Sequence, residues 1–380
     1  MQSQIRGITA LLLSTVIFLM GNGLVGTLIP LRATIEGFSS ISIGWMGAWY
    51  FAGFVAGCYG GPRLLSVYAS AGVKTRASVL PIEEVFAPGD FEAQNDRYCE
   101  IARGAAVDLA TRALASADLR PADIDLIVSV SCTGFMIPAL DAYVADSLGF
   151  GPRLVRLPIT ESGCAGGVVG LARASDHLAA HPERAALVVA VELSSLTFQR
   201  WDRSATNIVS AAIFGDGGAA AVLVGARHPR GRGPALARVL DTDSLFFPGT
   251  THLMGFRLRN QGLQIILDRE LAPFVEREVE RGVDGFLGPR GLARKDIARW
   301  ILHPGGRRII EVMTERLGLT PQDLALTEAV LAEHGNMSSV TVLFVLDEIL
   351  RRGDLRAGEK GLLGAFGPGF GAEFALLEFC

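Results

Sequence analysis

The hydrophobic pattern divides the chain at about residue 62. Two long uncharged stretches come first, at residues 7–31 and 39–61. A helix needs about 20 apolar residues to cross the hydrocarbon core of a bilayer. We therefore predict an all-α transmembrane hairpin over residues 1–62. Positive side chains at Arg6 before it and Arg63 after it favour a hairpin with both ends in the cytoplasm.

From residue 71 onward, short β-branched runs alternate with longer helical periodicities, a pattern typical of α/β layers. Five nearly continuous apolar runs predict strands covered on both faces, at residues 126–131, 186–192, 219–224, 300–303 and 375–379. Predicted helices cover residues 97–115, 140–148, 165–180, 267–287, 309–317 and 338–351, with a further helix start at 320–323. Two blocks of similar makeup lie before and after about residue 235.

The charge distribution agrees with the division of the chain at about residue 62. Only Arg6, Arg32 and Glu36 are charged in residues 1–61, so the remaining charges give the rest of the chain an ordinary globular composition. A net charge of -4 offers no basic field for nucleic acid. The apolar content excludes intrinsic disorder, and five cysteines over 380 residues exclude a disulfide scaffold.

Cys164 is a candidate nucleophile in the sequence ESGCAGGVVG. A predicted strand, LVRLPI, precedes it and a run of small residues that favours a tightly packed helix follows it. A thiol at a helix N-terminus lies near the positive end of the helix dipole, which favours the thiolate. The alternative is a cysteine that is only a small buried hydrophobe.

Two polar residues extend this candidate site. His303 lies at a predicted strand end in LHPGG, and Asn336 lies in HGNMSS just before a hydrophobic helix. Because glycines lie next to both residues, we expect the polar ends of the His303 and Asn336 side chains to be exposed in a cavity. A cysteine, a histidine and an asparagine in this order also fit a papain-like peptidase, but ESGCAGG lacks the signature that surrounds the cysteine of those enzymes.

Five motifs in order carry a resemblance to a known family. GCAGG at Cys164, FGDGGAAAVL from Phe214, LHPGG, HGNMSS and FGPGFGAE resemble the type III polyketide synthases, the chalcone and stilbene synthase family, over about residues 71–380. The resemblance implies the thiolase fold, in which two related halves, here 71–235 and 236–380, form a five-layer αβαβα sandwich. It also implies a homodimer and neither cofactor nor metal.

The family's chemistry implies a role for each candidate residue. Cys164 would accept an acyl group from a starter acyl-CoA and hold it as a thioester. Malonyl-CoA would then lose carbon dioxide, and His303 and Asn336 would bind the oxygen of the resulting enolate. Attack of the carbanion on the thioester, repeated and followed by cyclisation, gives a polyketide.

The resemblance also implies substrate-binding positions. Phe214 matches the family's gatekeeper, and Ile265 stands where plant relatives carry an aromatic residue. This smaller side chain favours a long aliphatic starter and an alkylpyrone or alkylresorcinol product, with naphthalene-type and chalcone-type products left open. Exposed arginines after HPGG are candidates for binding CoA phosphates. The remaining candidates for substrate are Thr197, Cys132, Gly305, Gly367, Pro368 and Gly369, and those for CoA are Arg307 and Arg308.

The N-terminal segment resembles the first two transmembrane helices of a major facilitator superfamily transporter, through RGITALLL and IGWMGAWYFAGFVAG. The synthase family's opening strand and its CoA-contacting basic residues are missing there. Two hypotheses follow. The first is a synthase tethered to the cytoplasmic membrane with its catalytic body in the cytosol, or a cytoplasmic one. The second is a non-catalytic membrane protein, a transporter fragment fused to a truncated synthase domain.

Other candidates have weaker support. His177 and His181 are four residues apart on a predicted helix, but no nearby ligand completes a metal site, so a solvated helix face is favoured. Cys58 and Cys99 receive no role. Cys380, as the last residue, lacks the register for prenylation.

Overall fold

The structure is a computed structural model that describes residues 31–39, 41, 42, 45, 48, 67–85, 90–229 and 235–380. The chain divides into two compact units, Met1–Ser66 and Val67–Cys380. In the first unit residues 31–35 are helical, and Arg32 Nε lies 2.9 Å from Glu36 Oε1.

The predicted membrane hairpin is not supported. Most residues of its two spans, 7–31 and 39–61, lie outside the described residues. Among the helices that are described, none combines the length and apolar character needed to cross a bilayer. This finding contradicts the predicted localisation at the cytoplasmic membrane.

The first sheet of the second unit has four strands in the order β2-β1-β3-β4. They are β1 (Leu126–Val130), β2 (Val155–Ile159), β3 (Ala185–Leu193) and β4 (Asp216–Val224). Strand β1 is parallel to β2 and β3, and β4 is antiparallel to β3. Every residue of β1 and β3 is buried, as the continuous apolar runs predicted.

The second sheet has the order β5-β10-β9-β8. Its strands are β5 (Ala237–Phe246), β8 (Arg299–Leu302), β9 (Lys360–Gly367) and β10 (Gly371–Phe379), and β6 (Met254–Arg259) with β7 (Gly262–Leu267) forms a separate hairpin. The antiparallel pair β9–β10 with parallel β8 repeats the arrangement of β3–β4 with β1. Strand β10 also pairs with β5, whereas no described strand pairs with the outer edge of β4.

In the described part of the second unit, eight main helices accompany the sheets. They are α1 (Phe91–Ala117), α2 (Leu140–Leu148), α3 (Gly166–Ala180), α4 (Ala205–Ile213), α5 (Leu271–Leu287), α6 (Arg307–Leu317), α7 (Ala325–His334) and α8 (Thr341–Arg352). A short helix, Ile82–Val85, precedes α1.

The described elements form five layers. Helices α3 and α8 contact both sheets and lie between them. Alternate residues of one strand face opposite layers, so Val188 packs toward α3 and α8 while Leu187 packs toward α1. Beyond the second sheet, Phe286 of α5 stacks on Phe374 of β10 at 5.4 Å between ring centroids. The α/β sandwich expected from the sequence is therefore present.

Differences from the predicted elements have local causes. Strands β5, β6, β7 and β9 were not predicted, because β5 carries charged residues, β9 carries glycines and β6 lies mainly at the surface. The helix predicted over 267–287 begins at Leu271, since Leu267 is the last residue of β7 and residues 268–270 form a turn. The helix start predicted at 320–323 is a capped turn in which Asp323 Oδ2 accepts from the Thr320 backbone at 2.7 Å, and α7 begins at Ala325.

Candidate active site

Cys164 lies in a short 3-10 turn, Gly163–Ala165, between β2 and α3. The side chain is 8% exposed and lines a cavity. Gly163 has a φ of +49°, and a Cβ atom there would lie 2.7 Å from Cδ of Pro368. The close approach of the loop after β9 therefore requires glycine before the cysteine.

The Cys164 thiol is held in its protonated form. Burial raises its pKa to about 11, and hydrogen bonds from the side chains of Ser338 and Asn336 only partly oppose this shift. Ser338 Oγ donates to Cys164 Sγ at 3.7 Å. The sequence led us to expect that the helix dipole favours thiolate, but desolvation outweighs it in this site.

Asn336 lies beside the same thiol and is 1% exposed. Its Nδ2 atom donates to the Gly305 carbonyl at 3.3 Å, and its Oδ1 atom accepts from the Ser338 backbone at 2.8 Å. These two contacts fix the plane of the amide. Asn336 is also joined to Phe214 by an isolated parallel β-bridge.

His303 follows β8 directly and is 5% exposed. Its backbone N–H donates to Gly364 of β9 at 2.9 Å. Neither ring nitrogen has a hydrogen-bond partner among the described residues, and burial lowers the pKa of the imidazole to about 4. A neutral ring with free nitrogen atoms inside a protein has its hydrogen-bonding capacity available for another molecule.

The cavity contains most of the predicted substrate-binding residues. Its described lining is mainly apolar, with Ile265 and Phe256 on adjacent strands of the β6–β7 hairpin and Phe214 after α4. His303, Asn336, Gly305, Gly367 and Gly369 are not part of this lining. The predicted residues that do line the cavity are Cys164, Cys132, Thr197, Phe214, Ile265 and Pro368.

Two buried residues near the cavity were not singled out from the sequence. Glu192 is the penultimate residue of the apolar strand β3 and is fully buried. Its carboxylate accepts from the Cys132 backbone at 3.0 Å, from Thr133 Oγ1 at 2.9 Å and from Ser339 Oγ at 2.5 Å. Burial raises the pKa of its carboxyl, and these hydrogen bonds oppose the shift. The second is Ser338. An acidic residue at the end of a continuous apolar run was the available signal for Glu192.

Gly367, Arg307 and Arg308 lie outside the cavity lining. A Cβ atom on Gly367 would lie 2.6 Å from Cβ of Ala165, so this glycine permits the loop after β9 to approach the turn that holds the cysteine. Arg307 and Arg308 are exposed at the start of α6 and pair with Glu311 at 3.1 and 3.6 Å. They lie outside the cavity lining, so the structure offers no contact between them and the thiol.

The weaker candidates gain no site. The rings of His177 and His181 are 4.7 Å apart, but the described residues contain no cluster of three metal-ligating side chains. Cys99 lies on α1 and donates to the Phe135 carbonyl at 3.5 Å. Cys380 is exposed, and Cys58 lies outside the described residues.

Solved structures identify the class of this fold. The crystal structure of 1,3,6,8-tetrahydroxynaphthalene synthase from Streptomyces coelicolor, a bacterial type III polyketide synthase, superposes with a TM-score of 0.79. The two chains are 34% identical, and the match covers 84% of this chain and 89% of the other. Together with the two sheets and the cysteine beneath the cavity, this match defines a thiolase-like fold of the type III polyketide synthase class.

Sequence comparisons give the family. The model of the N-terminal domain of chalcone and stilbene synthases matches residues 92–228, and that of the C-terminal domain matches residues 239–379. The chain belongs to this family. It is similar to 1,3,6,8-tetrahydroxynaphthalene synthase of Streptomyces peucetius subsp. caesius, with 39% identity over 83% of each chain. A putative chalcone synthase of Bacillus subtilis is 34% identical over 83% of this chain and 89% of its own length.

These findings decide between the two functional hypotheses. The family match and the fold confirm an acyl-transferring enzyme, a type III polyketide synthase. They do not support the alternative of a non-catalytic transporter fragment, and no comparison supports the resemblance of the N-terminal segment to a transporter.

Proposed function

We propose that Cys164 carries the growing acyl chain and that His303 and Asn336 bind the oxygen atoms of the reacting thioesters. Three buried side chains carry this proposal: the Cys164 thiol, which lines the apolar cavity, the Asn336 amide beside it, and the His303 imidazole, whose ring nitrogens bond to no described residue. Backbone and side-chain contacts hold the amide and the thiol together, whereas no residue in the described part of the chain bonds to either nitrogen of the imidazole.

The loading step follows from the protonation states. With the pKa of the thiol raised and that of the imidazole lowered, the resting pair is neutral. The Cys164 proton therefore passes to His303 as Sγ attacks the carbonyl carbon of the starter acyl-CoA. The imidazolium then returns the proton to the CoA thiolate that leaves, and the acyl group stays on Cys164.

Chain extension uses the same two donors. Malonyl-CoA loses carbon dioxide, and negative charge develops on its thioester oxygen. The Asn336 amide and a neutral His303 each offer an N–H to that oxygen without a competing negative charge. The carbanion attacks the Cys164 thioester and forms the new carbon–carbon bond.

The apolar lining of the cavity supports a long aliphatic starter acyl-CoA. Ile82, Val85, Met254, Phe256 and Ile265 contribute to this lining. We propose an alkylpyrone or alkylresorcinol product. The 39% identity to a tetrahydroxynaphthalene synthase favours a second candidate, a naphthalene-type product. A panel of acyl-CoA starters with malonyl-CoA, analysed by mass spectrometry, separates them; a preference for malonyl-CoA as starter would overturn the aliphatic proposal.

We also propose that the chain acts as a homodimer, with its catalytic body divided into halves at about residue 235. Phe135, Ile137 and Val155 are large apolar residues on the exposed surface of the first half, with Ile137 87% exposed. An exposed apolar surface of this kind is typical of an interface. A monomeric mass in light scattering at assay concentration would refute the dimer.

The decisive experiment for the catalytic proposal uses Cys164→Ala. This variant removes the acyl acceptor, so polyketide formation falls to background while the circular dichroism spectrum is unchanged. Cys99→Ala is the matched control, since Cys99 lies on α1 and outside the cavity lining. Polyketide formation by Cys164→Ala at the wild-type rate would exclude Cys164 as the nucleophile.

A further inference from the structure

Cys132 lies close to Cys164 and has no role in the steps above. It follows β1, is half-buried and lines the same cavity. Its Sγ atom is 3.3 Å from Ser338 Oγ, and that hydroxyl lies 3.7 Å from Cys164 Sγ. One hydroxyl group therefore contacts both sulfur atoms.

The position of the shared hydroxyl is fixed by its surroundings. Ser338 has a φ of +51°, a left-handed conformation uncommon for a residue other than glycine, and its N–H donates to Asn336 Oδ1 at 2.8 Å. Cys132 is held on the other side, because its backbone N–H donates to Glu192 Oε2 at 3.0 Å. The two thiols are thus held near one another by independent contacts.

We propose that Cys132 is the resolving thiol for an oxidised Cys164, so that the two form a reversible disulfide. A peroxide first oxidises the Cys164 thiol to a sulfenic acid and is reduced to water. The Cys132 sulfur then attacks the Cys164 sulfur, the S–S bond forms, and the hydroxyl leaves as a second water with the Cys132 proton. The two thiols lose two electrons in total, which reduce one peroxide.

The disulfide protects the proposed nucleophile. A sulfenic acid without a nearby thiol is oxidised further to the sulfinic acid, which dithiol reductants do not reverse. The Ser338 hydroxyl contacts both sulfurs, so formation of an S–S bond of about 2.05 Å replaces these contacts. Because burial raises the pKa of both thiols, the thiolate fraction is small and the reaction needs peroxide in excess.

The test treats the reduced full-length protein with hydrogen peroxide, blocks free thiols and identifies linked peptides by mass spectrometry. We expect a peptide pair joined through Cys132 and Cys164, and recovery of most of the lost polyketide synthesis on addition of dithiothreitol. In Cys132→Ser we expect sulfinic acid at Cys164 and about fivefold less recovery, each variant being compared with its own untreated activity. Cys99→Ser serves as the control and keeps the wild-type recovery.

Two outcomes would overturn the proposal. In the first, Cys164 of the wild-type protein becomes sulfinic acid and no Cys132–Cys164 peptide pair forms. This outcome is observed on the wild-type protein, so it overturns the proposal even if the Cys132 variant does not fold. The other is equal recovery in Cys132→Ser and wild type. The linked peptides are detected without catalysis, so failure of the disulfide and failure of the proposed catalytic role are distinguishable.

Discussion

The backbones of Phe214 and Asn336 form a parallel β-bridge that ties the cavity wall to the proposed oxygen-binding amide. The Asn336 N–H donates to the Ile213 carbonyl at 2.9 Å, and the Gly215 N–H donates to the Asn336 carbonyl at 3.0 Å. The two residues are 122 positions apart in the sequence, yet the bridge fixes the spacing between an apolar wall and a polar side chain. A site that binds a developing charge needs this kind of fixed geometry.

The amide of Asn336 provides the first prediction. Asn336→Asp preserves the shape of the side chain and replaces an N–H donor with a carboxylate that repels the enolate oxygen. We expect decarboxylation of malonyl-CoA to fall by about 100-fold to 1000-fold, as for the loss of other oxyanion donors. Release of carbon dioxide is the measurement, and a rate within threefold of wild type would show that the amide does not bind the enolate.

The burial of His303 provides a prediction about pH. Its pKa is about 4 in the fold, against about 6.5 for an unfolded histidine, so between these values the unfolded chain binds the additional proton. Stability is therefore fully present above pH 6.5 and is lost as pH falls toward 4, by about 3 kcal/mol from this group. Urea denaturation over this range measures the slope.

A pair of variants separates His303 from the other titrating groups. His303→Gln removes the buried imidazole, so we expect a shallower loss of stability between pH 6.5 and 4. His252→Gln, at an exposed histidine, is the matched control for the substitution itself. If the unfolding free energy of His303→Gln depends on pH as steeply as that of the wild type, the loss of stability does not come from His303.

The contact between Gly367 and Ala165 provides a prediction about packing. In Gly367→Ala the new Cβ atom would lie 2.6 Å from the Ala165 side chain and from the Ser162 carbonyl, so the turn that carries Cys164 must move. We expect a loss of about 1–3 kcal/mol in unfolding free energy together with reduced polyketide synthesis. Gly285→Ala is the control, because nothing lies within 4 Å of its Cβ position on α5.

Chemical denaturation and product formation are measured on both glycine variants. Because Gly285→Ala replaces a glycine on α5 with a better helix former, we expect its unfolding free energy to stay equal or to rise by about 1 kcal/mol. Equal stability and activity in Gly367→Ala and wild type would mean that the loop after β9 does not set the position of the cysteine.

The size of Ile265 provides a prediction about substrate choice. Ile265→Phe adds an aromatic ring to the cavity wall, so long acyl chains lose space while short ones still fit. We expect kcat/KM for a long-chain acyl-CoA to fall by about tenfold relative to a short-chain one. Leu258→Phe is the control, since Leu258 is 62% exposed and lies outside the cavity lining. An unchanged ratio in Ile265→Phe would place the acyl chain elsewhere.

Much of the fold was predictable because the buried strands have a distinctive pattern. Strands β1 and β3 are covered on both faces, so their runs are apolar throughout and their positions agree with prediction within one residue at each end. Strands β5 and β6 were missed because they carry exposed charged residues, and β9 because its glycines are atypical of strands. The N-terminal hairpin was predicted from two long uncharged apolar stretches and a resemblance to transporter helices, signals that do not separate a membrane span from other apolar segments.

The sequence by itself determined the family, the identity of the candidate nucleophile and the residue types around it, because ordered motifs survive as local patterns. Only the tertiary structure decided how they meet. In the fold, Cys132 and Cys164 both contact the Ser338 hydroxyl, and Glu192 is buried. Arg307 and Arg308 lie outside the cavity lining. The tertiary structure also raised the pKa of a thiol that its local sequence favours as a thiolate. Desolvation is the sum of all surrounding atoms, most of them distant in sequence, so no local pattern encodes it.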